Sequence, residues 1–342
     1  MIIVNGLNGI YAKVLKDSIN LRGNRLISYE VSYPRIILAE LNTHAMLSKN
    51  SSSSRAIPFK KMLEQLLGRP VRFGQANPGM QDKGESYDKK LSLGWTARLD
   101  EYDATGAEIL GPEAGWDAAK EHAVRWSKAF FEAGYHKQIY NRLTEPFQMM
   151  KTVISATEMA NFFWLRDDEA ADPTLAELAR CMREAARLSR PTQLLDGEWH
   201  LPYIETEYNK SLELTYFIVD DDGVKQPLTL EEAIQVSAAR SAAVSFRNVD
   251  YGLSKSQEVH DRLVGDKRKH GSAMEHQATP IAAEFSDEDD PGIYLNVPEW
   301  PQSWQPGVSH MDKKRRLWSG KFCGWVQYRK TIPGENVEGF EV

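Results

Sequence analysis

The sequence predicts a mixed α/β protein. Strand-like runs rich in β-branched and aromatic residues, LISYEVSY at 26–33 and LELTYFIV at 212–219, alternate with stretches whose apolar positions recur at helical period. The chain has 342 residues, 42% hydrophobic and 26% charged, enough to bury a substantial core without disulfides or metal. A net charge of −6 argues against a general nucleic-acid or membrane-surface binder and favours small-molecule chemistry.

Residues 26–41 read as a strand passing into a helix near Pro34, because the residue before a proline disfavours the helical region. The segment 42–56 turns sharply polar, 57–68 recovers an apolar spacing, and 70–115, rich in Gly, Pro, Asp and Asn, reads as a long excursion. Helical period returns over 116–142 and again over 147–165. Asp172-Pro173 supplies an N-cap and a first-turn proline for a helix through Leu175, Leu178, Cys181 and Ala185. Residues 190–228 carry prolines, Gly197 and a terminal DDDG turn, and read as an internal seam. Thr229 with Glu232 forms a capping box, a second helix is expected over 254–264, and the chain closes on strands with Trp-rich turns.

The two cysteines, Cys181 and Cys323, form no C-x-x-C pair, so neither a disulfide framework nor a thiolate metal site is expected. His270, Glu275 and His276 do not have the spacing that places two histidines on one helical face, and no metal is assigned to them. No run has the length of a membrane-spanning helix and no signal segment is seen, so the expectation is a cytoplasmic protein. The basic runs at 267–269 and 313–316 read as solvated faces.

The densest polar cluster is His44-x3-Ser48-x-Asn50-x2-Ser53-x-Arg55. An arginine fork, hydroxyls and loop amides are the donors that phosphate oxygens need. On spacing alone a solvated Ser-rich loop is the better account of the run. The pattern nevertheless resembles the signature of the flavin-dependent thymidylate synthases, RHR-x-x-S-x-N-x-x-S-x-R-Y. Thr43 and Ala45 stand where that signature has arginines, and Ala56 where it has tyrosine. Two further pieces are similar: Arg142 four residues before Pro146, and Asn161-Phe-Phe-Trp-Leu-Arg166. Segments that precede the signature in the family follow it here, as Ala238-Ala239-Arg240 and His270-Gly-Ser272-Ala-Met-Glu275-His276. The arrangement resembles a circular permutation, with residues 1–227 carrying the signature core and the 70–115 insertion, and 228–342 completing that core and adding a Trp-rich extension.

The resemblance implies a mixed α/β core around a twisted sheet and a homotetramer with active sites built from several subunits. It further implies transfer of a one-carbon unit from methylenetetrahydrofolate to C5 of a pyrimidine deoxynucleoside monophosphate, with FAD and NADPH as cofactors and no direct contact with nucleic acid or membrane. By the same resemblance Ser53, Arg55, Arg142 and Arg166 hold the nucleotide, Arg166 acting catalytically beside the ring. His44, Ser48, Asn50, Asn161, His270 and Ser272 contact flavin, while Glu275 and His276 orient their segment. Glu40 replaces a glutamine four residues before the signature histidine. A carboxylate accepts from the cytosine amino group but opposes the O4 of uracil, so dCMP is the expected substrate, methylated or hydroxymethylated as in viral relatives of the family. If Glu40 instead pairs with a nearby arginine, dUMP is the expected substrate. A chain that binds nucleotide or flavin without catalysis is the non-enzymatic alternative.

Overall fold

The computed structural model describes residues 2–53, 57–75, 84–92, 109–220, 222–244, 252–265, 269, 271–282 and 304–336. Arg55 and His270 lie outside the described residues, as do Ala56, Trp300 and two residues of the 267–269 basic run.

In chain order the first elements are β1 (Ile3–Asn5), β2 (Tyr11–Asn20), β3 (Arg25–Pro34), α1 (Leu38–Thr43), β4 (Ser48–Ser51) and α2 (Phe59–Leu63). The short β5 (Leu91–Ser92) and β6 (Ile109–Leu110) follow, then α3 (Pro112–Glu132), α4 (Lys137–Tyr140), β7 (Met149–Ala156), α5 (Ala160–Arg166) and α6 (Pro173–Leu188). The remaining elements are β8 (Thr192–Leu194), β9 (Glu205–Tyr208), β10 (Leu214–Val219), β11 (Lys225–Leu228), α7 (Leu230–Ala243), α8 (Leu253–Gly265), β12 (Ala278–Pro280), β13 (His310–Met311), β14 (Leu317–Ser319), β15 (Phe322–Cys323) and β16 (Trp325–Gln327). The fold is thus mixed α/β, as the sequence leads one to expect.

The principal sheet runs β1-β2-β3-β7-β4, antiparallel throughout this path, with β8 joining β2 in parallel. Its two faces differ chemically. Strand β3 alternates Ile27, Tyr29, Val31 and Tyr33 with Ser28, Glu30 and Ser32, and burial extends to both sets. The apolar set meets α6, whose Leu175, Leu178, Ala179, Met182 and Ala185 form the core stripe with Ile154 and Met150 of β7. Asp172 caps α6 by accepting from the amides of Thr174 and Leu175 at 2.9 and 3.0 Å, and Cys181 is buried on its stripe. Of the polar set, Ser28 meets Ser155 and His200, and Glu30 accepts from the hydroxyls of Tyr11 and Tyr203.

Several sequence expectations change. The stretch 147–165 is not one helix: Met149–Ala156 is a strand buried on both faces, followed by the seven-residue α5. A short apolar run buried on both sides has no period that separates strand from helix. The helix expected over 116–142 stops at Glu132, where Gly134 takes a positive φ of 82°, and resumes only as α4. The polar stretch 42–56 contains β4, and the apolar spacing at 57–68 yields only the five-residue α2. The expected seam at 190–228 instead interlocks the chain. Strand β8 extends the principal sheet, and His200 bridges to Ala278. Arg316 of the 313–316 run is not a free solvated charge, since it pairs with Asp312 at 2.8 Å and Glu158 at 3.0 Å. The capping box of α7 forms in full, and α8 spans the expected segment. Trp318 and Trp325 are core residues, the latter packed with Leu26, Leu194, Ala278 and Phe322.

Candidate functional site

The sequence places Glu40 and His44 around a short helix, and the fold brings Arg166 of α5 against both. Arg166 Nε lies 2.8 Å from His44 Nε2, and its Nη1 lies 3.4 Å from Glu40 Oε2. A guanidinium Nε always carries hydrogen, so His44 Nε2 is the acceptor and the ring is neutral with its proton on Nδ1. Desolvation, reinforced by Arg166 and Lys49, lowers the His44 pKa in agreement with that assignment. Buried Phe162, four residues before Arg166, meets the His44 ring edge-on at a centroid distance of 4.9 Å.

Strand β4 presents its other signature residues to the polar face. Ser48 and Asn50 are buried, opposite Ser155 and Val153 of β7. Asn50 donates from Nδ2 to the Ser241 carbonyl at 2.6 Å and accepts from Ser272 Oγ at 3.0 Å. Ser48 Oγ accepts from Gln327 Nε2 at 3.3 Å, and the same amide nitrogen reaches the Glu275 carbonyl at 3.0 Å. Asn50 and Ser272 lie 222 positions apart in sequence. Glu275 is buried between Arg329 and Lys321; burial pushes its carboxyl up, but these cations and His276 outweigh burial and hold it low.

Behind this contact a chain of hydrogen bonds crosses the sheet. His276 Nδ1 lies 2.9 Å from Ser155 Oγ, which lies 2.5 Å from Ser28 Oγ. Ser28 Oγ meets His200 Nε2 at 2.8 Å, and His200 Nδ1 meets Ser18 Oγ at 2.9 Å. Both rings are fully buried, and desolvation keeps both neutral, His276 being pushed down to about 4. Ser155, Ser28, His200 and Ser18 have no signal in the linear sequence that links them, because they come from separate parts of the chain.

The remaining expected residues are not gathered as tightly. Arg142 and Asn161 are exposed and make no polar contact among the described residues, while Ser53 is half-buried at the end of β4. A cleft of about 630 Å³ opens at Ser32, Gln65, Arg69, Trp116 and Lys151, and none of the expected site residues lines it. Sequence reasoning passed over Lys49, which sits inside the signature, and Gln327, which is too distant in sequence to be linked to it. No described helix is long and apolar enough to cross a membrane.

The arrangement is that of a mixed α/β protein in which an arginine, a neutral imidazole and a carboxylate converge beside a buried amide and serine cluster. No protein-family model matches the chain, and no curated protein matches it. Among solved structures it is similar to thymidylate synthase X from Helicobacter pylori, solved with FAD and dUMP, at 14% identity and a TM-score of 0.30, over 47% of this chain and 67% of that one.

Proposed function

We propose that this chain catalyses flavin-dependent transfer of a one-carbon unit from methylenetetrahydrofolate to C5 of a pyrimidine deoxynucleoside monophosphate, with dCMP the favoured base. The observation that carries the reading is the contact between Asn50 and Ser272. Two pieces that resemble one family's motifs, in the reverse of its order, meet through a direct hydrogen bond, as a permuted version of one site requires. The approach of Arg166 to His44 joins a third piece to the same signature.

The donor set suits a flavin in part. Asn161 offers an exposed amide within the helix that carries Arg166, and Ser272 offers a hydroxyl. The two arginines that would meet an anionic chain are absent at Thr43 and Ala45. When bound, reduced flavin supplies the hydride. The residues of this chain bind and polarise the nucleotide. Arg166 stabilises the electron-rich form of the base from which C5 donates its electron pair, and its hydrogen bond to neutral His44 fixes the guanidinium orientation. Arg142, Ser53 and Arg55 anchor the monophosphate, and that anchoring supplies the proximity that the reaction needs. Neither cysteine is asked to act as a nucleophile; burial raises the thiol pKa at both Cys181 and Cys323, the latter to about 11.

The ion pair between Glu40 and Arg166 favours the second reading, a dUMP substrate, because it gives Glu40 a partner other than the base. The pair is long and its carboxylate is 47% exposed, so Glu40 retains acceptor capacity toward an amino group. Arg166→Ala is expected to lower product formation by about 10²–10³-fold, the usual cost of removing a charge-stabilising donor. Steady-state assay of wild type and variant with reduced flavin, methylenetetrahydrofolate and nucleotide tests this, and equal rates would remove Arg166 from the chemistry.

A further inference from the structure

Lys49 occupies an unassigned position between two signature residues. Strand alternation sends Ser48 and Asn50 to the polar face and Lys49 the other way, toward α1. Its ammonium lies 2.7 Å from the His44 carbonyl, 3.1 Å from that of Leu41 and 3.4 Å from that of Asn42. Two of these carbonyls also accept long backbone bonds, Leu41 from the His44 amide and His44 from the Leu47 amide, each at 3.3 Å, so the ammonium reinforces a weakly closed helix C-terminus, where a cation also complements the helix dipole. A helix of six residues cannot hold its own end by propensity alone. This end carries His44 as its C-cap, and Glu40 lies in the first turn of the same six-residue helix; the two groups grip Arg166.

We propose that Lys49 is a positioning residue for Arg166: its ammonium locks the C-terminal end of α1, so that His44 and Glu40 are held where they orient the guanidinium. The link to turnover rests on the function proposed above, whereas the link from Lys49 to His44 is a property of the fold alone.

The charges around Lys49 make its hold dependent on pH. Burial first and nearby Lys321 second, partly opposed by Glu275, draw its pKa down to about 8. Arg329 shares Glu275 with Lys321. On the α1 side stand His44, kept neutral, and the Arg166–Glu40 pair. As pH rises through that range the ammonium loses its charge, and charge-assisted bonds to three carbonyls become weaker neutral ones.

The test compares wild type with Lys49→Met and Lys49→Arg, reading the His44 imidazole by NMR titration and turnover as a function of pH. In Lys49→Met the His44 pKa is expected to rise toward its ordinary value, because a neighbouring cation is lost and the Arg166 contact loosens. Lys49→Arg should leave that titration near wild type. In turnover, wild type is expected to lose activity as pH rises through about 8. Lys49→Arg should carry that loss to higher pH, and Lys49→Met should lower kcat about tenfold below about pH 8, converging with wild type above it, with little change in KM for nucleotide. An unchanged His44 titration in a folded Lys49→Met would overturn the proposal. Should wild type turn over neither nucleotide, the proposed function falls while the titration still decides the role of Lys49.

Discussion

Arg166 is an obligate donor, and its contact with His44 Nε2 can persist only while that ring is neutral. The same residue pairs with Glu40, so the base reading proposed for Glu40 and the charge stabilisation proposed for Arg166 would meet at one guanidinium. Glu40→Gln is expected to shift preference from dCMP toward dUMP by roughly tenfold or more, because a charge-assisted acceptor is replaced by a group that can also donate. The ratio of kcat/KM for the two nucleotides checks this, and an unchanged ratio removes Glu40 from base reading. His44, Ser48, Asn50 and Arg166 were legible in the sequence because their spacing resembles a signature. Lys49, Ser241 and Gln327 were not. Their roles come from strand alternation and from contacts across as many as 279 positions, and neither produces a local pattern.

Helix α6 was readable from its cap, its first-turn proline and its apolar stripe, all of which the structure retains. Removing the cap by Asp172→Ala is expected to cost about 1 kcal/mol, since two amides at the helix start lose their acceptor. The urea midpoint measures that loss, and a change much below it would mean that solvent replaces the cap. Strand β7 was not readable, because both its faces are covered and its apolar residues carry no single period. The consequence for the site is direct. Only as a strand does this segment place Ser155 beside Ser48 and Ser28, and so bring signature residues onto the polar face.

Across the molecule, the polar face of the principal sheet joins the two parts of the chain. Ser28 and Ser155 come from the first part and His276 from the second, linked through fully buried hydrogen bonds. Both buried histidines are neutral in the fold, with pKa values below those of the unfolded chain. The unfolded state therefore binds more protons, and stability rises with pH across the interval between the two values. Between the ordinary histidine value of 6.5 and about 4, His276 alone is expected to remove on the order of 3 kcal/mol as pH falls. Urea unfolding at a series of pH values tests this, and His276→Asn should flatten the slope. An unchanged slope would place the acid sensitivity elsewhere.

The gathered signature is proposed to transfer a one-carbon unit to a pyrimidine nucleotide. The most direct measurement incubates the protein with FAD, NADPH and methylenetetrahydrofolate, offers dUMP and dCMP in competition, and identifies products by mass spectrometry. The account expects dCMP carrying a methyl or hydroxymethyl group at C5. Thymidylate alone would keep the chemistry and reverse the base assignment, and no product from either nucleotide would contradict the claim.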